Sequence, residues 1–304
     1  MENNGQKKDR RFIIIDRLYL AMTIFPLIVG MVIKVLVTPA SEGIEITGAR
    51  IYFTIPMPLQ DLPITESQVN SWLVMLTIFG LCLWLTHGLT ERAETKRQLV
   101  CEFIVEKTDG LIASNMGEKY FSHFGPFIAA VMSLSALSSL ITLIGLYTPT
   151  SDMNVVAGWA VVVFVLITYY KNKCGFVHYL KSFANPVLLT PLNVISEIAT
   201  PVSMAFRHYG NILSGSVISV LVASALQGLS KMLLGWLPGV LGDIPFLQIG
   251  LPAILSIYFD LFSGLLQAFI FAMLTMLYVS SGFPADDWEK LQAKRLAAKK
   301  VKTA

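Results

Sequence analysis

The sequence of 304 residues has little charge, because Asp, Glu, Lys and Arg together make up only 14% of it. Soluble domains carry about 25% charged residues. Hydrophobic residues make up 54% and are spread over most of the length. This composition indicates a chain surrounded largely by lipid rather than by water. The net charge of +3 is too small to indicate a nucleic-acid partner.

Cysteines are also few. Cys82, Cys101 and Cys174 form no C-x-x-C pair and no zinc-type spacing, so the sequence predicts neither a disulfide framework nor a metal site. The phosphate-binding motif G-x-x-x-x-G-K-[ST] is absent as well. We therefore expect no cofactor and no catalytic site in this chain, and any nucleotide chemistry must occur on another chain.

Long apolar segments dominate the rest of the sequence. Because about 20 apolar residues cross roughly 30 Å of hydrocarbon as a helix, they predict an all-α membrane protein with six spans. The predicted spans are 17–37, 69–90, 124–147, 154–171, 192–224 and 251–281. The first apolar run is longer than the h-region of a signal peptide, which predicts an uncleaved anchor.

The last two predicted spans, of about 33 and 31 residues, are longer than the membrane is thick. They are consecutive, so we expect two strongly tilted helices that form a hairpin. The alternative is that each span is shorter and has interfacial ends. Prolines 191 and 201, near the start of the fifth span, suit a helix that enters at an angle.

The basic residues are distributed unevenly between the two sides of the predicted membrane. Nineteen of the 23 lie before or at the start of the first span, after the sixth, in the connection after the second, or at and after the end of the fourth. The opposite side holds only Lys34, Arg50 and Lys231. Because loops rich in Lys and Arg stay in the cytoplasm, both termini are predicted to be cytoplasmic.

The chain divides into four segments on this basis. Residues 1–68 would be an N-terminal anchor followed by an ordered outer loop, in which residues 51–55 favour a strand. Residues 69–190 would hold membrane helices and a cytoplasmic helix along the interface, near 98–116. The helical hairpin would occupy 191–281, and a basic cytoplasmic tail would occupy 282–304.

Polar residues inside the last two spans are the functional candidates, because an ionisable group in hydrocarbon is costly. Arg207 lies near the middle of the fifth span, where insertion of an arginine costs about 3 kcal/mol or more. Arginine keeps its proton in proteins, so its charge must meet an anion or water. At helical spacing, Asn211 and Ser214 share the face of Arg207.

In the sixth span, Asp260, Gly264 and Gln267 cluster in the same way, with Gly264 permitting close helix approach. A purely structural alternative is that Arg207 pairs with Asp260 or Glu197 and locks two helices together. His208 also has two interpretations, since it could be a packed, hydrogen-bonded residue or part of a proton relay.

The stretch PLNVISEIATPVSMAFRHYGNILSG (191–215) closely resembles the signature of the ATP synthase subunit a family. There an essential arginine is followed by x-x-G-N, which Arg207, Gly210 and Asn211 match. The segment LLQAFIFAMLTMLYVS (265–280) resembles the final-helix motif of the family. TPTSDMNV (148–155) resembles its outer loop, and residues 98–121 resemble its cytoplasmic segment.

The resemblance implies a stator subunit with two aqueous half-channels, separated by an arginine that faces a rotor ring of c subunits. It also implies peripheral-stalk b subunits and membrane lipids as neighbours, and a proton or a sodium ion as the translocated species. The residues expected in translocation are Arg207, Asp260, Gln267 and Asn211, and possible channel-lining residues are Glu197, His208, Ser214 and Ser216.

The sequence departs from the family pattern at three places. Ser216 stands nine positions after the arginine, where many relatives carry an acidic residue or histidine. Asp260 stands where Glu or His is common, so a carrier role can be retained. The span before residue 69 is additional. The length and this addition suggest a bacterial plasma membrane.

Two other functions remain open from the sequence. A secondary transporter would bind its substrate at the pair formed by the fifth and sixth spans, but the sequence has no inverted repeat or matched broken helices. A membrane scaffold would use the interfacial helix and the basic tail for docking.

Overall fold

The protein is helical over most of its length. The computed structural model describes residues 2–37, 48–58, 60–91, 95–117, 121, 123–184, 187–234, 247 and 250–303. The helices are α1 (Glu2–Val37), α2 (Glu66–Thr86), α3 (Lys96–Met116), α4 (Gly125–Leu140), α5 (Met153–Lys171), α6 (Phe176–Phe183), α7 (Thr190–Leu234), α8 (Leu251–Ser256), α9 (Gly264–Gly282) and α10 (Ala285–Thr303). Two strands, β1 (Ile51–Ile55) and β2 (Leu62–Thr65), pair antiparallel.

Six helical segments in this part of the chain are long and apolar enough to cross a membrane, which confirms the predicted number of spans. They are Arg10–Val37, Glu66–Thr86, Gly125–Ile144, Met153–Cys174, Thr190–Leu234 and Ile257–Gly282. The protein is therefore an all-α membrane protein.

The fifth span is longer than the sequence predicted. Helix α7 has 45 residues and continues through Pro201, so it is about 68 Å long at 1.5 Å per residue. The interfacial ends of the alternative remain a prediction, because the length of the helix does not place its ends relative to the membrane. Proline has no N–H, so the bond from residue 201 to the carbonyl group of Glu197 is missing from the helix.

The last span contains an irregularity that the sequence did not reveal. Between α8 and α9, residues Ile257–Ser263 form a π-helical segment, with Asp260 in its centre. Residues 235–246, which connect α7 to this span, lie outside the described structure, so the predicted hairpin remains a prediction. Side chains of α7 nevertheless contact the π-helical segment directly, through Asn211 and Ser263.

The main core surrounds α9, which has the most buried apolar sequence of the six spans. Its inner face packs against α3, α4 and α5, and van der Waals packing stabilises these contacts, because lipid tails are as apolar as the side chains themselves. The fully or nearly fully buried members include Ile112, Phe124, Ile128, Val163, Phe271, Met276 and Val279. This core fixes the position of α9 and of the π-helical segment before it.

The N-terminal segment is attached to this core through α2 and α3. Helix α1 lies close to α2 at Gly80, where an added Cβ atom would be 2.8 Å from the backbone of Met22. Near the other end, the Arg97 guanidinium donates to the Asp16 carboxylate, and the ring of Phe12 stacks on His87 with centroids 4.3 Å apart. The predicted strand 51–55 is confirmed, and it forms a β-hairpin with β2.

The predicted helix near 98–116 is also confirmed as α3, although its cytoplasmic side and its placement along the interface remain predictions. It exposes apolar residues next to the charged residues Glu102, Glu106 and Lys107. The exposed apolar residues are Leu99, Val100, Phe103, Ile104 and Val105.

Candidate functional site

The side chain of Arg207 lies on the exposed surface of α7. Among the described residues, no carboxylate forms an ion pair with its guanidinium. The proposed lock between Arg207 and Asp260 or Glu197 is therefore not present in the described structure. A permanent cation midway along a membrane span is left facing outward from this chain, where another molecule or water can reach it.

Glu197 is instead engaged with a different cation. Its carboxylate forms an ion pair with the Lys171 ammonium group at the end of α5, and the two side chains are 10% and 27% exposed. The hydroxyl group of Tyr179 on α6 donates to the other carboxylate oxygen over 3.5 Å. Burial, together with the nearby Glu197 carboxylate, raises the pKa of Tyr179. This group ties three helices together on the predicted cytoplasmic side.

Replacing Lys171 by methionine is expected to destabilise the protein, because Glu197 would then be a largely buried charge without its partner. We expect a loss of about 1–3 kcal/mol, and the double variant Lys171→Met/Glu197→Gln should recover most of it. Thermal unfolding of the detergent-solubilised protein measures the loss of stability in the single variant and its recovery in the double variant. Lys181→Met, which removes an exposed ammonium group from α6, is the matched control. Equal melting temperatures for Lys171→Met and Lys181→Met would contradict this role.

Asn211 fixes α7 to the π-helical segment. Its side-chain oxygen accepts a hydrogen bond of 2.9 Å from the Ser263 hydroxyl group, and its amide group donates to the Ser263 carbonyl oxygen over 3.5 Å. One turn further, Gly215 is buried against Phe259, whose side chain would be 3.1 Å from an added Cβ atom. These contacts hold Arg207 and Asp260 in a fixed relation, one on each of two adjoining elements.

Asp260 is half-buried and lies on the wall of a cavity of about 660 Å³. The cavity also reaches Ser216 and Tyr209 of α7 and residues that precede α5. Its polar lining includes Lys34, Thr65, Thr142, Tyr147, Thr148, Ser151, Asp152, Tyr209, Ser216 and Asp260. A carboxylate in a polar cavity of this size can exchange a proton with water or bind a small cation.

Several lining residues were not among the candidates from the sequence. Asp152 lies in the TPTSDMNV motif, which was noted without a role for its carboxylate. In the structure that carboxylate accepts hydrogen bonds from the Ser67 hydroxyl group (2.5 Å) and from the backbone N–H of Asn154 (2.9 Å), so it caps α5 beside the cavity. Tyr147 gave no signal, because tyrosines at span ends are common in membrane proteins. Tyr209, near the middle of the fifth span, was not a candidate either.

His208 is fully buried, which favours the interpretation as a packed residue. Its Nε2 atom is 3.4 Å from the Ser135 hydroxyl oxygen. The rings of Trp159 and Phe271 lie edge-on to it, with centroids 5.7 and 5.5 Å away.

The remaining candidates fall into two groups. Gln267 is 5% exposed and belongs to the packed face of α9, one turn after Gly264. Ser214 and Ser216 are exposed on α7, and each hydroxyl group donates to a backbone carbonyl oxygen three residues earlier. Ser216 lines the cavity with Asp260, whereas Gln267 does not belong to the described lining. The described residues include no cluster of three or more His, Cys, Asp or Glu that could hold a metal ion.

The sequence of this chain is similar to that of a known protein family. The ATP synthase A chain family matches residues 68–280, which is more than half of the sequence. The chain belongs to this family. The match begins at α2 and ends within α9, so it includes Arg207, Asp260 and most of the cavity, but not α1 or the β-hairpin.

Individual relatives agree with this assignment. The chain is 30% identical to ATP synthase subunit a of Desulforamulus reducens, over 71% of this chain and 78% of the relative. It is 33% identical to ATP synthase subunit a of Bacillus pumilus, over 68% and 89%. The sodium ion specific ATP synthase subunit a of Propionigenium modestum is 27% identical over 77% and 84%. The family places this membrane protein among ATP synthase subunits, with ion transport as the implied activity.

Proposed function

We propose that the chain is the ion-conducting stator subunit of a rotary ATP synthase, with Arg207 facing a ring of c subunits. The observation that carries this proposal is the exposed guanidinium of Arg207, which has no carboxylate partner among the described residues. Such a charge at mid-depth in a membrane needs an anion from a neighbouring molecule. A carboxylate on each rotor subunit would supply that anion as it passes.

The chemistry of coupling follows from the cost of burying charge. A rotor carboxylate that turns toward lipid must be neutral, because an unpaired carboxylate in hydrocarbon is prohibitive. Beside Arg207 the same group is stabilised as an anion and releases its ion. Arg207 would therefore prevent ions from passing directly between the two half-channels, so that flow requires rotation.

We assign the outer half-channel to the cavity that contains Asp260. The cavity begins beside the β-hairpin and Lys34, on the predicted outer side, and extends along α7 from Val220 to Tyr209. Ser216 and Asp260 lie on its wall. Asp260 would act as the ion carrier, in place of the acidic residue or histidine that many relatives have at the position of Ser216. Asn211 and Gln267 would hold the two helices in place around this path.

The inner half-channel would lie along the first turns of α7. Glu197 and Tyr179 provide polar groups there, on the predicted cytoplasmic side, and Lys171 neutralises part of the charge. Ser214 would complete the exposed polar face that includes Arg207. His208 is not assigned to either path, because it is enclosed by aromatic rings.

The low burial of the long helix α7 favours a large neighbouring protein in the membrane. Only 6% of the most apolar stretch of α7 is buried within this chain, compared with 44% for the last span. We propose that the ring covers part of this face, and that lipids and peripheral-stalk b subunits surround the other spans. The enzyme would lie in a bacterial plasma membrane with both termini of this chain in the cytoplasm.

The coupling ion is proposed to be the proton. One relative is named sodium ion specific, and a sodium ion would use the same charge-neutralisation scheme. In a mechanism of this type the rotor site selects the ion, since it is the rotor carboxylate that must be neutralised.

Reconstitution tests the proposed function against a secondary transporter. The purified chain alone should be inert in liposomes, whereas the chain together with its ring and stalk should conduct protons or sodium ions when a membrane potential is applied. The readout is an internal pH-sensitive or sodium-sensitive dye. Ion or solute transport by the chain alone would refute the stator role, and a scaffold would leave both preparations silent.

A further inference from the structure

The cavity assigned above to the outer half-channel is completed by residues that lie before the family match. The match begins at residue 68, yet Lys34 of α1, Gly48 and Ala49 of the following segment, Ile51 of β1 and Thr65 of β2 all line the cavity. The additional N-terminal segment is therefore part of the wall rather than an isolated anchor.

We propose that this segment forms the entrance wall of the ion pathway, and that Lys34 is a fixed cation that limits the entry of cations. This inference rests on the proposed function, because it gives a role to the wall of the same pathway. It identifies a residue that determines ion access, in a part of the chain that the family match does not include.

Two kinds of contact hold Lys34 in place: a hydrogen bond from its side chain and the packing of its helix. Its ammonium group donates to the carbonyl oxygen of Gly145, and Gly145 ends a 3-10 turn with a φ of +82°. Helix α1 is itself fixed against α2 at Gly80 and tied to α3 through Asp16. The charge is therefore located at the wall and does not move freely in solvent.

The charges that line the cavity explain why Lys34 would affect the entry of cations. Among the described lining residues it is the only cation, and the two carboxylates are those of Asp152 and Asp260. Asp152 is already occupied by hydrogen bonds with Ser67 and with the N-terminus of α5. A fixed positive charge on the wall lowers the local concentration of cations that approach Asp260.

A charge series at position 34 tests the proposal. The ring-containing membrane sector, without the catalytic sector, is reconstituted in liposomes, and passive cation flux is measured under a potassium diffusion potential. At low ionic strength, Lys34→Gln should raise flux from the predicted outer side by about two- to fourfold, and Lys34→Glu should raise it further. Lys34→Arg should leave it unchanged. At about 1 M salt the differences should disappear, because the Debye length falls to about 3 Å.

Lys231 provides the matched control. It is exposed at the end of α7 on the same predicted side, and it does not belong to the described lining of the cavity. Lys231→Gln and Lys231→Glu make the same charge changes, and we expect them to alter the flux much less. Equal effects of the two series, or reduced flux in both Lys34→Gln and Lys34→Glu at all salt concentrations, would overturn the proposal.

A second measurement does not depend on conduction. In a background without Cys82, Cys101 and Cys174, the variants Ile51→Cys and Ile55→Cys place thiols on one strand, inside and outside the described lining. Adding Lys34→Gln should speed modification of residue 51 by a cationic methanethiosulfonate about two- to fourfold and slow modification by an anionic one. Residue 55 should change much less.

The two experiments separate failure of this proposal from failure of the proposed function. If the reconstituted sector does not conduct at all, while the thiol at position 51 still responds to Lys34→Gln, the stator assignment fails and the charged wall remains. If the sector conducts and needs Arg207, but neither flux nor thiol reactivity responds to position 34, only the role of Lys34 is wrong.

Discussion

Replacing Arg207 by alanine is expected to abolish both ATP synthesis driven by an ion gradient and ion pumping driven by ATP. Without a cation at mid-depth, a rotor carboxylate that reaches α7 has no group to stabilise its ionised form, so its ion is not released. Any residual flow would pass between the half-channels without rotation. We expect a loss of at least 100-fold in coupled activity.

Inverted membrane vesicles containing the assembled complex provide the measurement. ATP-driven acidification and ATP synthesis are assayed for Arg207→Ala and for Ser224→Ala, which removes an exposed hydroxyl group of α7 that is assigned to neither half-channel. Immunoblotting confirms that both variants assemble with the ring. Near-normal ATP-driven pumping by Arg207→Ala would refute the gate.

Replacing Asp260 by asparagine is expected to slow ion entry by about tenfold or more while the complex remains assembled. The amide group fills the same volume in the cavity but cannot take up and release a proton at neutral pH. A positioned group that transfers protons typically contributes about 10²–10⁴-fold, and water in a cavity of about 660 Å³ would replace part of this.

The dependence of rate on pH distinguishes a carrier from a structural group. If Asp260 exchanges protons, the profile of gradient-driven ATP synthesis against outer pH should change in Asp260→Asn, since one titrating group is lost. Asp61→Asn is the matched control, because Asp61 is exposed beside β2 and does not belong to the described lining. An unchanged profile in Asp260→Asn would show that this carboxylate is not on the ion pathway.

Most of the fold could be predicted from the sequence, because apolar length alone indicates a membrane span. The end of α7 could not be predicted in this way. Gln227 and Lys231 interrupt the apolar run there, although both side chains are compatible with a helix that continues to Leu234. The π-helical segment around Asp260 also has no signal in the sequence, because it depends on contacts with α7.

The candidate site was predictable only where charge lies inside hydrocarbon. Arg207 and Asp260 stand out because their burial in a span is costly. Asp152 and Lys34 lie close to span ends, where a charge costs little, so no local pattern distinguishes them from ordinary interfacial residues. Their convergence on one cavity results from tertiary packing. The environment of His208 likewise depends on Trp159 and Phe271, which are distant in the sequence.

The hydrogen bonds between Asn211 and Ser263 have a consequence for the path of a rotor subunit. Asn211 is one turn after Arg207, and Ser263 is three residues after Asp260, so this pair of bonds sets the spacing of the two charged groups. A rotor subunit that moves past the stator would meet the point of release and the point of reloading at a constant interval. The distance that a rotor subunit travels between release and reloading would then be a property of this chain, whatever the speed of the ring.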